Sequence, residues 1–186
     1  MLVLEAKLYG KSRQYRAIDE AIRTSQFIRN KCIRHWMDKK GVGKYDLSKL
    51  CAVLAREFSF ASRLSSQARQ SAVDRAWSAI SLFYDGAHKV PRKPWKTAPR
   101  NCKKKVKGKK GCPRFKKNCR SVEYKTAGWK LSDDRKYITF TDKNNIGTLK
   151  LRSGYQLDWY GKDLIKRVRV VKRADGKRSA VLREGL

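Results

Sequence analysis

Acidic residues are scarce in this sequence of 186 residues. It holds 16 Asp and Glu against 47 Lys and Arg, and its formal net charge is +31. A compact chain with so much charge of one sign repels itself unless a polyanion neutralises it. The imbalance argues against an ordinary enzyme for small metabolites. It favours nucleic acid as the first candidate partner and an anionic membrane surface as the second.

Long apolar runs and paired cysteines are also missing. No apolar stretch approaches the roughly 18 residues of a membrane span, and Glu5 interrupts the short apolar start where a signal peptide would be uninterrupted. None of the five cysteines belongs to a C-x-x-C pair: Cys32, Cys51, Cys102, Cys112 and Cys119. A disulfide framework or a zinc knuckle is therefore not expected. We expect the protein in the reducing cytoplasm, associated with the nucleoid.

Hydrophobic residues nevertheless make up 40% of the chain, which includes 5 Trp, 8 Tyr and 6 Phe. A disordered basic tail is poorer in these residues. The chain can therefore build a core, and we expect most of the charge on its surface.

The positive charge is concentrated in residues 91–120, which contain 14 Lys and Arg and no acid. Pro91, Pro94 and Pro99 forbid a continuous helix at the start of this segment. Residues 102–111 show no hydrophobic periodicity. The segment is therefore predicted to be a mobile basic loop.

Hydrophobic spacing predicts an α+β fold. Apolar and polar residues partly alternate over residues 2–9, which predicts a strand. Helical spacing follows over about 13–39, 47–58 and 66–87. Ser12 and Asp46 are the expected N-caps of the first two helices. From residue 121 the period becomes two, which predicts strands at 121–126, 136–141, 146–151, 165–172 and within 177–186. We expect an antiparallel sheet (1–10 and 121–186) interrupted by a helical bundle (11–90) and the basic loop (91–120).

Catalytic residues are not evident. Asp133 and Asp134 are adjacent at a predicted hairpin turn, and neither His35 nor His88 has a Cys or Ser partner at a compelling spacing. A metal-dependent nuclease site needs several carboxylates from different elements, and none can be assembled. No catalytic residue, metal ligand or cofactor is predicted.

The basic loop and the residues after it form the strongest binding signal. Phosphate contacts are predicted for Lys103, Lys104, Lys105, Lys107, Lys109, Lys110, Arg114, Lys116 and Lys117. Phe115 either stacks on an unpaired base or anchors the loop to the core of the sheet.

Two further surfaces are candidates. The third helix carries Gln67, Arg69, Gln70 and Arg75, which either read base edges in a major groove or form a solvated face. A late strand alternates cations with valines, and its cations are Arg167, Arg169 and Arg173. This sheet face either lies along a nucleic-acid backbone or is simply solvated.

Three motifs in the same order resemble the OrfB/TnpB family of transposon-encoded, transposase-associated proteins. They are Phe27-Ile28-Arg29-Asn30-Lys31-Cys32-Ile33-Arg34 after Leu8-Tyr9, the helix from Ser66-Gln67-Ala68-Arg69-Gln70 to Phe83-Tyr84, and Lys109-Lys110-Gly111-Cys112-Pro113-Arg114-Phe115-Lys116-Lys117, which is similar to the G-x-P-x-F-K motif. Together they cover most of residues 1–173.

The resemblance implies an RNA-guided DNA endonuclease related to the type V CRISPR nucleases. In that family a wedge-like barrel with a helical insertion holds guide RNA and reads a short duplex motif beside the target. Gln70 and Ser66 fall where the family contacts that motif, and Tyr45 and Lys49 fall beside them.

The family continues into a RuvC-like nuclease domain that binds Mg and Zn, and the sequence ends about where that domain is expected. We therefore expect binding of RNA and DNA without cleavage and without a cofactor. The alternatives are a ribosome-associated RNA-binding protein and an active nuclease.

Overall fold

Over the residues that the structure describes, the chain forms an α+β fold in which one strand precedes four α-helices and six strands follow them. The computed structural model describes residues 3–85, 112–152, 157 and 161–184. The elements are β1 (Val3–Tyr9), α1 (Ser12–Asp38), α2 (Lys44–Glu57), α3 (Ser59–Arg63), α4 (Ser66–Asp85), β2 (Ser121–Lys125), β3 (Trp129–Leu131), β4 (Tyr137–Phe140), β5 (Thr148–Arg152), β6 (Ile165–Lys172) and β7 (Arg178–Glu184).

All seven strands belong to one antiparallel sheet with the order β2-β6-β7-β1-β5-β4-β3. Strand β1 lies between β7 and β5, so the first strand joins the later sheet, as the sequence predicts. The two outermost strands, β2 and β3, are joined by the 3-10 turn Thr126–Gly128, and the rings of Tyr124 on β2 and Phe140 on β4 have centroids only 4.8 Å apart. The sheet therefore curls into a nearly closed barrel, which confirms the predicted fold class.

Alternation of apolar and polar residues builds the barrel interior, because successive side chains of a strand point to opposite faces. The buried side chains of the strands include Ala6, Leu8, Val122, Tyr124, Ile138, Phe140, Leu149, Leu151, Val168, Val170, Ala180 and Leu182. Full burial of one such Val or Leu side chain contributes about 1.5–3 kcal/mol. The charged residues between them are left for the outer face.

The helices are an insertion between β1 and β2. Ile18, Ile22, Ile28 and Ile33 lie on the buried face of α1, and α4 packs beside it, where Trp36 donates from Nε1 to the hydroxyl of Tyr84 at 2.9 Å. The predicted bundle is therefore present, with α3 as a fourth, short helix that the hydrophobic spacing did not separate.

The predicted helix starts need correction. Ser12 is the first residue of α1 and Lys11 precedes it, with the Lys11 N–H donating to Oε1 of Gln14 at 2.9 Å. Helix α2 begins at Lys44, so Asp46 lies in its first turn and accepts from the N–H of Gly43 at 2.9 Å. A carboxylate at the third helical position satisfies a helix start as well as one before it.

The junction between bundle and barrel is held by a half-buried carboxylate. Asp142 accepts from the N–H of Ser65 at 2.5 Å and from the hydroxyl of Tyr124. Burial raises the pKa of Asp142 above its usual range. A Cβ at Gly128 would lie 3.0 Å from Cβ of Gln67, so the start of α4 packs against the turn between β2 and β3. Strand β3, which sequence spacing did not predict, forms where this turn closes the barrel.

The four cysteines within the described residues form no disulfide. Cys32, Cys51, Cys112 and Cys119 are free thiols, and burial raises the pKa of the Cys32 thiol to about 12. Over the described residues, no helix combines the length and the apolar character that crossing a membrane requires.

Candidate nucleic-acid interface

Two amide side chains of α1 hold the main chain of residues 116–119. Asn30 donates from Nδ2 to the carbonyl oxygen of Lys116 at 2.8 Å and accepts from the Lys116 N–H at 3.0 Å. One turn earlier, Gln26 donates to the carbonyl oxygen of Lys117 at 3.0 Å and accepts from the N–H of Cys119 at 2.8 Å. Because residues four apart share a helix face, the two amides bind the N–H and carbonyl groups of this segment from one side.

Arg29, which is buried, extends this attachment by donating from Nη1 to the carbonyl oxygen of Arg114 at 3.2 Å. Burial lowers the pKa of Arg29. Pro113 is buried too, whereas the four side chains from Arg114 to Lys117 are exposed. The backbone of the segment is therefore fixed to the bundle while its cations and its aromatic ring face solvent.

Phe115 lies beside α1 and does not reach the core of the sheet. Its side chain is 45% exposed and lines a groove of about 400 Å³ with residues of α1: Arg23, Gln26, Phe27, Asn30, Lys31 and Arg34. We call the groove together with Arg114, Phe115, Lys116 and Lys117 the α1 surface. Its place on the protein favours the interpretation in which Phe115 offers a ring to a ligand.

The charges of the α1 surface are almost all positive. The Nζ of Lys31 lies 5.6 Å from the centroid of the Phe27 ring. Arg34 pairs with Asp38 at 3.0 Å, but both side chains are more than half exposed, so the pair contributes little. Aromatic rings beside cations are the arrangement by which single-stranded nucleic acid is bound, through base stacking and phosphate contact.

The start of α4 and the facing part of α2 form a second, narrower cleft. Ser66, Arg69 and Gln70 line it with Ser48, Cys51, Ala52 and Val73, around a volume of about 120 Å³. Ser66 and Gln70 are exposed. Tyr45 is 85% exposed and Lys49 is exposed, but neither lines this cleft. Of the four residues that the family resemblance points to, the structure therefore brings two together.

Arg69 and Arg75 serve the protein's own backbone. The Nη1 of Arg69 donates to the carbonyl oxygens of Ala61, Ser62 and Leu64 at 3.0, 3.2 and 2.9 Å. Arg75 is half-buried and its Nη1 lies 3.5 Å from the carbonyl oxygen of Ser121. Because the guanidinium groups of Arg69 and Arg75 bond to the backbone, they have fewer N–H donors left for a base edge than the sequence prediction assumed. Gln67 is half-buried beside the turn at Gly128.

The third candidate surface is the outer face of β2, β6 and β7, which we call the outer sheet face. Glu123 is buried there, with Nε and Nη2 of Arg169 at 3.0 and 2.5 Å from its Oε2 and Nη1 of Arg167 at 3.7 Å from Oε1. Arg173 pairs with Glu5, and this hydrogen bond lowers the pKa of Glu5. Acids of the fold therefore neutralise part of the cationic face that the sequence predicts.

Six of the predicted phosphate-binding lysines lie outside the described residues: Lys103, Lys104, Lys105, Lys107, Lys109 and Lys110. The sequence reasoning missed Gln26, Arg29 and Asn30, whose bonds reach 85 to 93 residues along the chain. Gln26 and Asn30 share the spacing of one helical turn, and Arg29 and Asn30 stand in the first motif of the family resemblance, but neither signal names them as contacts to residues 114–119.

No protein-family model matches this chain, and no curated protein matches it. Within the described ranges, no group of three or more His, Cys, Asp or Glu is placed so that it could hold a metal ion.

Proposed function

We propose that this chain binds nucleic acid, with the α1 surface as a site for a single-stranded segment. One observation carries the proposal: side chains of α1 bind the backbone of residues 114–119, so that Arg114, Phe115, Lys116 and Lys117 are all presented to solvent. A segment whose only role was to cover the bundle would bury its aromatic ring and leave its backbone to water.

The partners we propose are RNA and duplex DNA, following the resemblance to the OrfB/TnpB family. A net charge of +31 supports a polyanionic partner. The barrel with its helical insertion is the architecture that this resemblance implies, and the cleft with Ser66 and Gln70 offers polar side chains for a duplex. Binding without cleavage stays a prediction, and Mg²⁺-dependent cutting of bound DNA by the purified chain would contradict it.

A direct test measures the binding of labelled single strands and duplexes of about 20 nucleotides to the full chain at several salt concentrations. Phe115→Leu should weaken single-strand binding by about 5-fold to 100-fold, because stacking contributes ~1–3 kcal/mol per base. The duplex affinity should change little. The matched control is Tyr137→Leu, which removes another exposed ring, 41% accessible, from β4.

Equal losses in the two variants would show that Phe115 has no special part in binding. Failure of the wild-type chain to bind any of the strands at about 0.1 M salt, where even non-specific binders associate, would refute the proposal as a whole. Co-purification with ribosomes in place of free RNA would favour the ribosome-associated alternative.

Sequence readout has its own test at Gln70. Gln70→Ala should change the preference among duplex sequences by ~1–3 kcal/mol if the amide makes a bidentate base contact. Gln67→Ala serves as the control, since that amide is on the same helix but half-buried. If Gln70→Ala loses the same affinity on every duplex sequence, Gln70 does not contact base edges in a sequence-specific way.

A further inference from the structure

Three cations lie in line across three neighbouring strands on the outer sheet face. Lys125 of β2 is opposite Arg167 of β6, and Arg167 is opposite Arg183 of β7. Side chains of directly opposed residues have Cβ atoms roughly 4.5–5.5 Å apart, and like charges at such positions destabilise the sheet. We call Lys125, Arg167 and Arg183 the cation row.

Carboxylates of the fold neutralise only part of this region. Asp74 of α4 lies 2.6 Å from Nζ of Lys125 but is shared with Lys44 at 3.2 Å. Glu123 is engaged by Arg169, and Arg167 reaches it only at 3.7 Å. Among the described residues no carboxylate pairs with Arg183, and its Nε is buried without a hydrogen-bond partner.

Arg75 adds a further positive charge from α4. Burial lowers its pKa, and the nearby Arg169 and Arg183 lower it further. Counting Arg75 and Lys44, six cations of this region share the two carboxylates of Asp74 and Glu123. In the unliganded protein this excess opposes folding, and a bound anion would relieve it.

We propose that the cation row binds consecutive phosphate groups of a polynucleotide backbone. The proposal rests on the proposed function and adds a second contact region to the α1 surface. Three adjacent strands span about 10 Å, which is longer than one phosphate group and suits a chain of phosphates better than a free ion. Arg167, 57% exposed in its side chain, is the member that a backbone meets first.

The test compares Arg167→Gln/Arg183→Gln with the wild-type chain. Binding of single-stranded RNA, single-stranded DNA and duplex DNA, each of about 20 nucleotides, is measured from about 50 to 300 mM salt. Loss of two phosphate contacts should reduce the salt slope by about 1.4 for single strands and weaken binding about tenfold near 0.15 M salt. Comparison of the three probes shows whether the phosphates belong to RNA, DNA or both.

Two further variants make the result specific. Lys150→Gln removes an exposed cation from β5 and should leave the salt slope unchanged. Arg183→Lys keeps the charge and should retain the wild-type slope. Arg183→Gln also removes the repulsion between Arg183 and Arg167. In low salt and without nucleic acid, the Tm of this variant should therefore be at least that of the wild type and at most about 1–3 °C higher.

The outcomes separate the two proposals. If the wild-type chain binds polynucleotide and the double variant shows the same slope and affinity, the cation row is not a phosphate site and the proposed function stands. If Arg183→Gln lowers the Tm, the arginine has a structural role and this inference fails. If about 10 mM inorganic phosphate stabilises the wild-type chain as much as the polynucleotide does, the site takes a free ion and the polynucleotide assignment is overturned.

Discussion

The α1 surface and the outer sheet face are both rich in cations, but the fold treats those cations differently. On the α1 surface, amide side chains bind the backbone of residues 114–119 and leave Arg114, Lys116 and Lys117 exposed. On the outer sheet face, the buried Glu123 engages Arg169. The cations that a ligand can use are therefore those that the carboxylates of the fold leave wholly or partly unneutralised.

The largest expected effect concerns the neutralised region. Glu123→Gln should destabilise the fold by about 3 kcal/mol, because it leaves Arg169 half-buried without its anion. Urea unfolding of the full chain measures the free energy of unfolding. Asp38→Asn, which removes the partner of Arg34 from an exposed pair, should change that free energy by less than about 0.5 kcal/mol. If both variants change the free energy of unfolding by a similar small amount, the buried Glu123 stabilises the fold no more than the exposed Asp38.

The next effect concerns the exposed cations of the α1 surface. The triple variant Arg114→Gln/Lys116→Gln/Lys117→Gln should bind single strands about 50-fold more weakly near 0.15 M salt, because three phosphate contacts are lost. Fluorescence anisotropy of a labelled strand gives the affinity. The matched control replaces Lys130, Lys136 and Lys150, which are exposed elsewhere on the barrel. If the control loses as much affinity as the triple variant, binding depends on the overall positive charge of the protein and not on the α1 surface.

A smaller effect is expected when the attachment itself is loosened. Asn30→Ala removes both bonds to the backbone of Lys116 while it leaves every cation in place. Affinity for single strands should fall about threefold to tenfold, because the segment must then be ordered on binding. Hydrogen exchange of the Lys116 amide should rise in the same variant. Unchanged affinity with faster exchange would show that preorganisation does not matter here.

The smallest effect is a pH dependence at the edge of the outer sheet face. Burial tends to raise the pKa of Asp74, but its bonds to Lys125 and Lys44 outweigh this and lower it. A lowered folded-state pKa means that the contribution is present above the unfolded pKa and is lost as pH falls through the folded value. Asp74→Asn should therefore cost ~0.5–1 kcal/mol at neutral pH, with the difference from wild type disappearing in acid unfolding curves.

Much of the fold could be predicted because it follows from local periodicity. The helical spacing in residues 13–39 and 66–87 and the period of two after residue 121 correspond to α1, α4 and the later strands. Strand β3 could not be predicted, because three residues around Trp129 carry no period and pair only once the barrel closes. The start of α2 was missed because Asp46 caps from inside the helix.

The candidate site was only partly predictable. Composition and motif indicated Arg114, Phe115, Lys116 and Lys117, and the structure exposes all four. Composition and motif did not indicate Gln26 and Asn30, the two amides of α1 that bind the backbone of this segment. Nothing local distinguishes an amide that binds a segment 86 residues away from one that faces water.

The sequence by itself determined the sign and size of the charge, the order of the helices and strands other than α3 and β3, and the division into a helical insertion and a β domain. These properties depend on composition and on spacing within single elements. The tertiary structure alone decided which cations are neutralised. The partners of Glu123 are more than 40 residues away along the chain, and the cation row exists only because β2, β6 and β7 lie side by side. Electrostatic energy depends on distance in space, and strand pairing sets that distance.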